Sequence, residues 1–550
     1  MFTCGHLRIG LLGLLLPAGA SCAGLGLPTV DLVTSVHVAT LNAPGDFYSF
    51  DNIPYAEPPV GQLRFRAPIP KVTVNRTVND GSVSRICSQA NGAAWLGISV
   101  PFMLEQLLGP LPGGGGPGGP AGPDPRESED CLYLNVKTPR AVFDQGRKNL
   151  PVLVWIHGGG FTAGSKDEVN PAGLIAQGMR DGKSGFVYVA INYRLGLFGF
   201  PPRGPRDWDT ATNAGLYDQR LALRWVELNI HRFGGDPRKV TVIGESAGGS
   251  SIAIQLAAFY GIDGTAPFNR AIIQSPAMRP ATDAAVYAQV YQQVLSTAGV
   301  ASIDALRGLP TAQLQGVNLA IVGGSSFAHF TFGPNVDGLL IPSPLPTSLV
   351  KGRVDRNVEV IAAYNIAEGL LFTDPRVQDN TAFKDLFSSL MPSIPAAKVN
   401  TLATTIYPED FSGAQPYRTQ TERMTLAISE SLILCNAFAL HLAYQNQSRA
   451  YEFSVFPGIH ASDVSYTFFN GGDSPTDSFG VPINTAVAQT MQRYFADFAM
   501  VGAGPGSSAN AIPLYTALAR TLNITDGGNA VVTDPAANRR CRFWVEGLYS

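Results

Sequence analysis

The chain has 550 residues, of which 45% are hydrophobic and 15% charged. That apolar share can bury a large core, which excludes wholesale disorder. The net charge of −3, from 39 Lys+Arg against 42 Asp+Glu, leaves no basic surplus to displace counterions from a polyanion, and this argues against a DNA- or RNA-binding role.

Residues 1–23 read as a secretory signal. His6 and Arg8 give a weakly basic start, residues 9–16 form an apolar run, and small residues follow at 18–20 and 21–23. Cleavage after Ala20 and cleavage after Ala23 both fit. The run is shorter than the ~20 residues that cross a bilayer. No later stretch reads as a span, and the C-terminus lacks a hydrophobic anchor-signal tail. No transmembrane segment is expected, and the protein is expected outside the cell. Removal through Ala23 takes away Cys4 and Cys22 and leaves Cys87, Cys131, Cys435 and Cys541, an even set with three pairings open. Removal through Ala20 would leave Cys22 over. There is no CxxC or HExxH cluster, so no metal site is expected. Sequons at Asn75, Asn446 and Asn523 are candidate glycosylation sites.

Residues 24–550 are read as one domain without internal repeats. Residues 95–108 are strongly apolar, with Phe102, Met103, Leu104, Leu107 and Leu108 clustered. Residues 112–125 form a Gly/Pro run read as a flexible surface loop. Compact apolar runs predict buried strands at 152–156, 186–192, 240–243 and 271–274, with helices at 218–230 and 250–259. Such alternation predicts an α/β class with a mainly parallel sheet covered on both faces. Helices are predicted further on at 284–295 and 425–444, and strands at 358–362 and 450–455.

Gly244-Glu245-Ser246-Ala247-Gly248 fits GxSxG between a strand and a helix, the context of a nucleophile elbow. Ser246 is the candidate nucleophile. A serine hydroxyl needs a base, and in this architecture an acid and then a histidine follow the serine in the chain. His329, His441 and His460 qualify by order. His441 falls in an apolar helical run, and His329 lies between Phe327 and Phe330 away from any strand end. His460 follows the strand 450–455 and a Pro457-Gly458 turn, where the base must sit. For the acid, Glu368 and Asp337 both remain open on the residues alone. His157-Gly158-Gly159-Gly160-Phe161 follows the strand 152–156 and matches the Gly-rich element that supplies oxyanion donors, where a missing Cβ lets backbone N–H groups approach substrate. No Lys-Ser/Thr follows these glycines, which disfavours a phosphate-binding loop.

Together these segments resemble the type-B carboxylesterase/lipase family, which includes cholinesterases and secreted fungal lipases. The resemblance spans nearly the whole mature chain. It is carried also by Ala56-Glu57-Pro58-Pro59-Val60-Gly61 with Arg64-Phe65, by Glu129-Asp130-Cys131-Leu132-Tyr133-Leu134-Asn135-Val136, by Asn192-Tyr193-Arg194, by Asp218-Gln219-Arg220 and by Phe233-Gly234-Gly235-Asp236-Pro237. It implies the α/β-hydrolase fold. It favours Glu368, just before Gly369, over Asp337 as the acid, with His460 as its histidine three residues before Asp463. It further implies oxyanion donors at the N–H groups of Gly159, Gly160 and Ala247, and Ser275 as a support for the acid. Ion pairs Arg64–Glu129 and Arg194–Asp218, disulfides Cys87–Cys131 and Cys435–Cys541, and a lid-like loop 87–131 complete the set.

The expected function is that of a secreted serine carboxylic ester hydrolase, acting without cofactor on short- to medium-chain acyl esters by Ser246/His460/Glu368 acyl transfer. Three alternatives use the same frame. One is a triacylglycerol lipase whose segment 95–108 meets a lipid interface. Another is a cholinesterase-like binding or adhesion module without catalysis, against which the full set of candidates argues. The third is an amidase or an esterase for plant phenolic or toxin esters. Trp95 is the one tryptophan in loop 87–131, which does not match the aromatic-rich pattern expected for choline recognition.

Overall fold

The computed structural model describes residues 26–548 except 91, 110–123, 206, 279–283, 473–474 and 478. The predicted signal segment and most of the Gly/Pro run lie outside the described residues. Among the described residues fourteen strands follow in chain order: β1 (Thr29–Asp31), β2 (Ser35–Val38), β3 (Thr40–Asn42), β4 (Phe47–Pro54), β5 (Asn75–Asn79), β6 (Tyr133–Pro139), β7 (Leu150–Ile156), β8 (Val187–Ile191), β9 (Gly235–Glu245), β10 (Arg270–Gln274), β11 (Glu359–Asn365), β12 (Arg449–Phe453), β13 (Arg520–Ile524) and β14 (Ala530–Thr533). Strands β1, β2 and β5 make a small sheet, and the other eleven make one large sheet in the order β14-β13-β12-β11-β10-β9-β7-β8-β6-β4-β3. From β8 to β13 the neighbours run parallel, while β6, β4, β3 and β14 pair antiparallel at the two flanks.

The central parallel strands β7 and β8 are apolar without interruption because both of their faces are covered. Val152, Val154 and Ile156 of β7 enter one core, with Val187, Val189 and Ile191 of β8 and Val240 and Val242 of β9. The alternating residues Leu153, Trp155, Tyr188, Ala190 and Ile243 enter a second core on the opposite face. The first core is closed by helices that include Ala214–Asn229 and Ala247–Ala257, the second by Thr485–Val501. This is the α/β-hydrolase arrangement.

The predicted helix 425–444 is interrupted. It runs as Gln420–Ser429, a π-helical turn Glu430–Leu434 and Cys435–Ala443. The wider turn frees the Leu432 carbonyl, which accepts from Met278 N at 2.9 Å and Asn436 Nδ2 at 2.7 Å. Gln420–Ala443 also corrects the expectation that no later stretch has the makings of a span. It is long and apolar enough, but 89% of its apolar window is buried within the fold, as in a core helix of a globular protein.

Disulfides join Cys87 to Cys131 and Cys435 to Cys541. Buried ion pairs join Arg64 to Glu129 (2.6 Å) and Arg194 to Asp218 (2.7 Å), the second through two guanidinium nitrogens to two carboxylate oxygens. Residues 95–108, inside the first disulfide loop, form the helix Leu96–Leu108. Of the sequons, Asn75 is exposed at the start of β5, Asn446 is half-buried in a turn, and Asn523 is half-buried within β13.

Candidate active site

The site is assembled where the parallel strands end. Ser246 follows β9 and immediately precedes the helix Ala247–Ala257, with φ 56° and ψ −119°. This strained backbone holds the hydroxyl at the top of the turn. Gly248 makes the turn feasible, since a Cβ there would lie 2.0 Å from the Ile156 carbonyl oxygen. Glu368 opens a short turn after β11, and His460 lies on the loop after β12. The two loops are stitched together, with Ala367 N donating to Gly458 O at 2.7 Å and a parallel bridge between Ala367 and Ile459.

These three residues, distant in sequence, meet. His460 Nε2 is 2.8 Å from Ser246 Oγ, and His460 Nδ1 is 2.5 Å from Glu368 Oε2. Glu368 is fully buried. Its other oxygen accepts from Ser275 Oγ at 2.5 Å, Asn365 N at 2.6 Å and Asn365 Nδ2 at 3.1 Å. Donors on that oxygen fix the direction of the carboxylate. Behind it Asp463 accepts from Gln274 Nε2 and Tyr451 OH, each at 2.8 Å, and burial raises its pKa.

The Gly-rich element follows β7. Gly159 and Gly160 take φ of 96° and 61°, and a Cβ on Gly160 would come within 2.6 Å of the Phe330 ring. Among the described residues the N–H groups of Gly159, Gly160 and Ala247 make no hydrogen bond. Gly160 and Ser246 share a cavity of about 90 Å³ walled by apolar groups such as Phe161, Met278, Phe330, Phe372 and Leu432. Donors without protein partners beside a hydroxyl–imidazole pair are suited to binding an oxygen that gains negative charge.

The rejected candidates have other work. Asp337 accepts from Asn213 Nδ2 at 2.9 Å and from the N–H groups of Leu339 and Ile341 in its own turn. His441 is buried, stacked on Tyr515 with ring centroids 3.9 Å apart, and its Nδ1 is 2.7 Å from Ser448 Oγ. His329 lies on the cavity wall, and its carbonyl accepts from Trp95 Nε1 at 2.7 Å. Two residues had no part in the sequence-based reading of the site. Asn365 ends the strand that precedes Glu368, and an amide three residues before the acid was its only sequence signal. Glu245 was visible inside GxSxG but had been given no role. It is buried, and its Oε1 lies 3.3 Å from His460 Nε2. Burial pushes its pKa to about 8. Burial disfavours the His460 imidazolium, but the carboxylates of Glu245 and Glu368 outweigh it and raise the pKa.

The sequence model of the carboxylesterase family matches residues 35–544. The chain belongs to the carboxylesterase family. It is 36% identical to the carboxylesterase patB of Aspergillus clavatus, over 96% of this chain and 98% of that protein. It is 31% identical to secreted lipase 1 of Botryotinia fuckeliana over 71% of this chain and 69% of that one. The crystal structure of Aspergillus niger EstA superimposes with a TM-score of 0.76 at 23% identity, covering 94% of this chain and 98% of that one, and shares the fold. This carboxylesterase is therefore a carboxylic ester hydrolase. Among its described residues no group of three or more His, Cys, Asp or Glu side chains could hold a metal ion.

Proposed function

We propose that this carboxylesterase hydrolyses short- to medium-chain acyl esters by two-step acyl transfer at Ser246. His460 serves as base and then acid, and Glu368 orients it. The relay of 2.8 Å and 2.5 Å from hydroxyl to imidazole to carboxylate carries the proposal. Ser246 Oγ attacks the ester carbonyl while its proton passes to His460 Nε2. The oxyanion is held by the N–H groups of Gly159, Gly160 and Ala247. The C–O bond to the alcohol breaks as His460 returns the proton to it, leaving an acyl-serine. Water, deprotonated by the same nitrogen, attacks the acyl carbon, and collapse restores Ser246 and frees the acid. Glu368 keeps Nδ1 protonated and stabilises the transient imidazolium. The small apolar cavity beside Ser246 supports a modest acyl group. Ser246→Ala is expected to abolish p-nitrophenyl ester turnover and fluorophosphonate labelling; a retained wild-type rate removes this serine from the mechanism.

Residues 24–550 act as one domain, delivered outside the cell by the signal 1–23. Two disulfides suit an oxidising destination, and the Botryotinia relative is named a secreted lipase. N-terminal sequencing of exported protein tests this: a start at Ser21 or Gly24 supports it, and a start at Met1 refutes it.

A second reading, hydrolysis of longer acyl glycerides at a lipid surface, is favoured by the helix Leu96–Leu108. It leaves Ile98 38% and Leu108 52% exposed, and buries Ser99 and Met103. An apolar helix face inside a disulfide-closed loop is suited to act as a lid that meets lipid. A rate that jumps when the ester is emulsified supports it, and simple saturation by soluble ester opposes it.

A further inference from the structure

The Gly160 N–H, one of the proposed oxyanion donors, belongs to the peptide unit whose carbonyl is that of Gly159. A peptide unit is planar and trans, so whatever grips the Gly159 carbonyl also sets the direction of the Gly160 N–H. That carbonyl accepts from Thr162 N at 3.0 Å and from Ala163 N at 2.9 Å. A Cβ on Gly159 would lie 2.3 Å from the Ala163 carbonyl oxygen, so the turn is closed tightly on itself. Its position therefore depends on what holds residues 162–164. On one side Gly196 N donates to Phe161 O at 2.8 Å, and on the other Lys166 N donates to Asn192 Oδ1 at 2.9 Å. Between those two anchors, among the described residues, the hydrogen bonds that reach this stretch from outside residues 157–168 come from Gln89 and Ala90.

Ala90 N donates to Thr162 O at 2.7 Å. Gln89 takes both backbone groups of Gly164: its Oε1 accepts from Gly164 N at 2.7 Å, and its Nε2 donates to Gly164 O at 3.0 Å. Donating and accepting on one residue fixes orientation as well as distance, as in a hydrogen-bonded pair of a sheet. Nε2 also donates to Cys87 O at 2.7 Å. Gln89 is itself held, with its N–H on Glu127 Oε2 at 3.0 Å, its carbonyl on Gln315 Nε2 at 2.7 Å, and Cys87 tied to Cys131. Gly164 has no slack on its other side, where a Cβ would lie 2.2 Å from His157 Nδ1. We infer that Gln89 is a positioning residue for the hydrolysis, fixing through Gly164 the Gly159–Gly160 peptide plane and so the direction in which the Gly160 N–H meets the oxyanion; this rests on the Ser246 site proposed above. Gln89 touches neither the substrate nor the reacting atoms. Its effect falls on the transition state, because a developing oxyanion draws more from an aligned donor than the ground-state carbonyl does.

The test compares the full secreted chain with its Gln89→Met variant, which keeps the length of the side chain and removes its hydrogen bonds to Gly164. Active sites are counted by exhaustive fluorophosphonate labelling, and kcat and KM for p-nitrophenyl butyrate are expressed per labelled site. The same proteins are titrated with a trifluoromethyl ketone, whose hemiketal oxygen on the serine occupies the oxyanion position. Gln89→Met is expected to lower kcat by about tenfold to a hundredfold, with KM changed by less than about twofold. The ketone's Ki should rise by the factor by which kcat/KM falls. If Gln89→Met is not recovered folded, Gln89→Glu, which loses the donor to Gly164 O, reads the same quantities. A merely structural role would lower the unfolding temperature or the yield of labelled sites and leave kcat and Ki per site unchanged, and that outcome overturns the inference. A rise in KM at constant kcat overturns it as well. Wild-type turnover by Ser246→Ala overturns the nucleophile assignment instead. An inactive Ser246→Ala beside a Gln89→Met with wild-type kcat and Ki overturns the role of Gln89 alone.

Discussion

Glu245 Oε1 stands 3.3 Å from His460 Nε2, the same nitrogen that lies 2.8 Å from Ser246 Oγ. A buried carboxyl therefore faces the nitrogen to which the proposed mechanism gives proton transfer, and the two groups titrate as a pair. The charge of Glu245 favours the imidazolium. Glu245→Gln removes that charge, so His460 gains its proton at a lower pH and remains a competent base further into acid. The acid limb of the kcat/KM profile on a soluble ester should move to lower pH. An unmoved limb would show that Glu245 carries no charge in that range.

Glu368 holds His460 from a fully buried position. Glu368→Gln replaces an acceptor by an amide that can donate to Nδ1 and select the wrong tautomer. In serine hydrolases of other folds this costs about ten-thousand-fold in kcat, and a loss of that order is expected here. Ser275→Ala removes one of three donors to the opposite oxygen, for a smaller loss of about tenfold or more. Equal losses in the two variants would contradict this ranking.

Gly160 has no room for a side chain, because its Cβ would press on the Phe330 ring from a left-handed backbone. Gly160→Ala should turn the neighbouring N–H away from the oxyanion position. A fall of about a hundredfold in kcat is expected, with KM changed far less. A rise in KM at constant kcat would assign Gly160 to ground-state binding instead.

Asp218 is fully buried against Arg194, itself 3% exposed in its side chain. Asp218→Asn leaves the guanidinium buried with a neutral partner. The cost of breaking such a pair is about 3–5 kcal/mol, read as a clear drop in unfolding temperature. A variant as heat-stable as wild type would show that Arg194 finds another counter-charge.

Burial lowers the pKa of His441 to about 3 and that of His157 to about 4. Both are neutral when folded, while the unfolded chain protonates near pH 6.5. Their contribution to stability is therefore complete above about pH 6.5 and is lost as the pH falls towards their folded values. The unfolding temperature should decline over that window, and less steeply in His441→Gln. An identical slope in that variant would remove His441 from the linkage.

The central strands were legible because they are buried on both faces, which leaves unbroken apolar runs such as 152–156 and 187–191. The edge elements were not. The sequence of β5, Asn-Arg-Thr-Val-Asn, is largely exposed, and nothing in it distinguishes a strand from a loop. The helix at 425–444 was legible as apolar and helical, but its π turn was not, because Met278, whose N–H reaches the Leu432 carbonyl, is brought there by tertiary packing.

Local order in the chain determined the elbow around Ser246, the glycines that follow β7, and a histidine placed after a late strand, since each depends on residues adjacent in sequence. The acid stayed undecided between Glu368 and Asp337 on the residues alone, because a carboxylate's role depends on what it faces. Tertiary structure turned Asp337 into its own loop and aimed Glu368 at His460 with Asn365 and Ser275 behind it. It also set Glu245 against the imidazole and placed His329 on the wall of the cavity beside Ser246. Those relationships join strands and loops separated by tens to hundreds of residues, and only the packing of the sheet brings them within hydrogen-bonding reach.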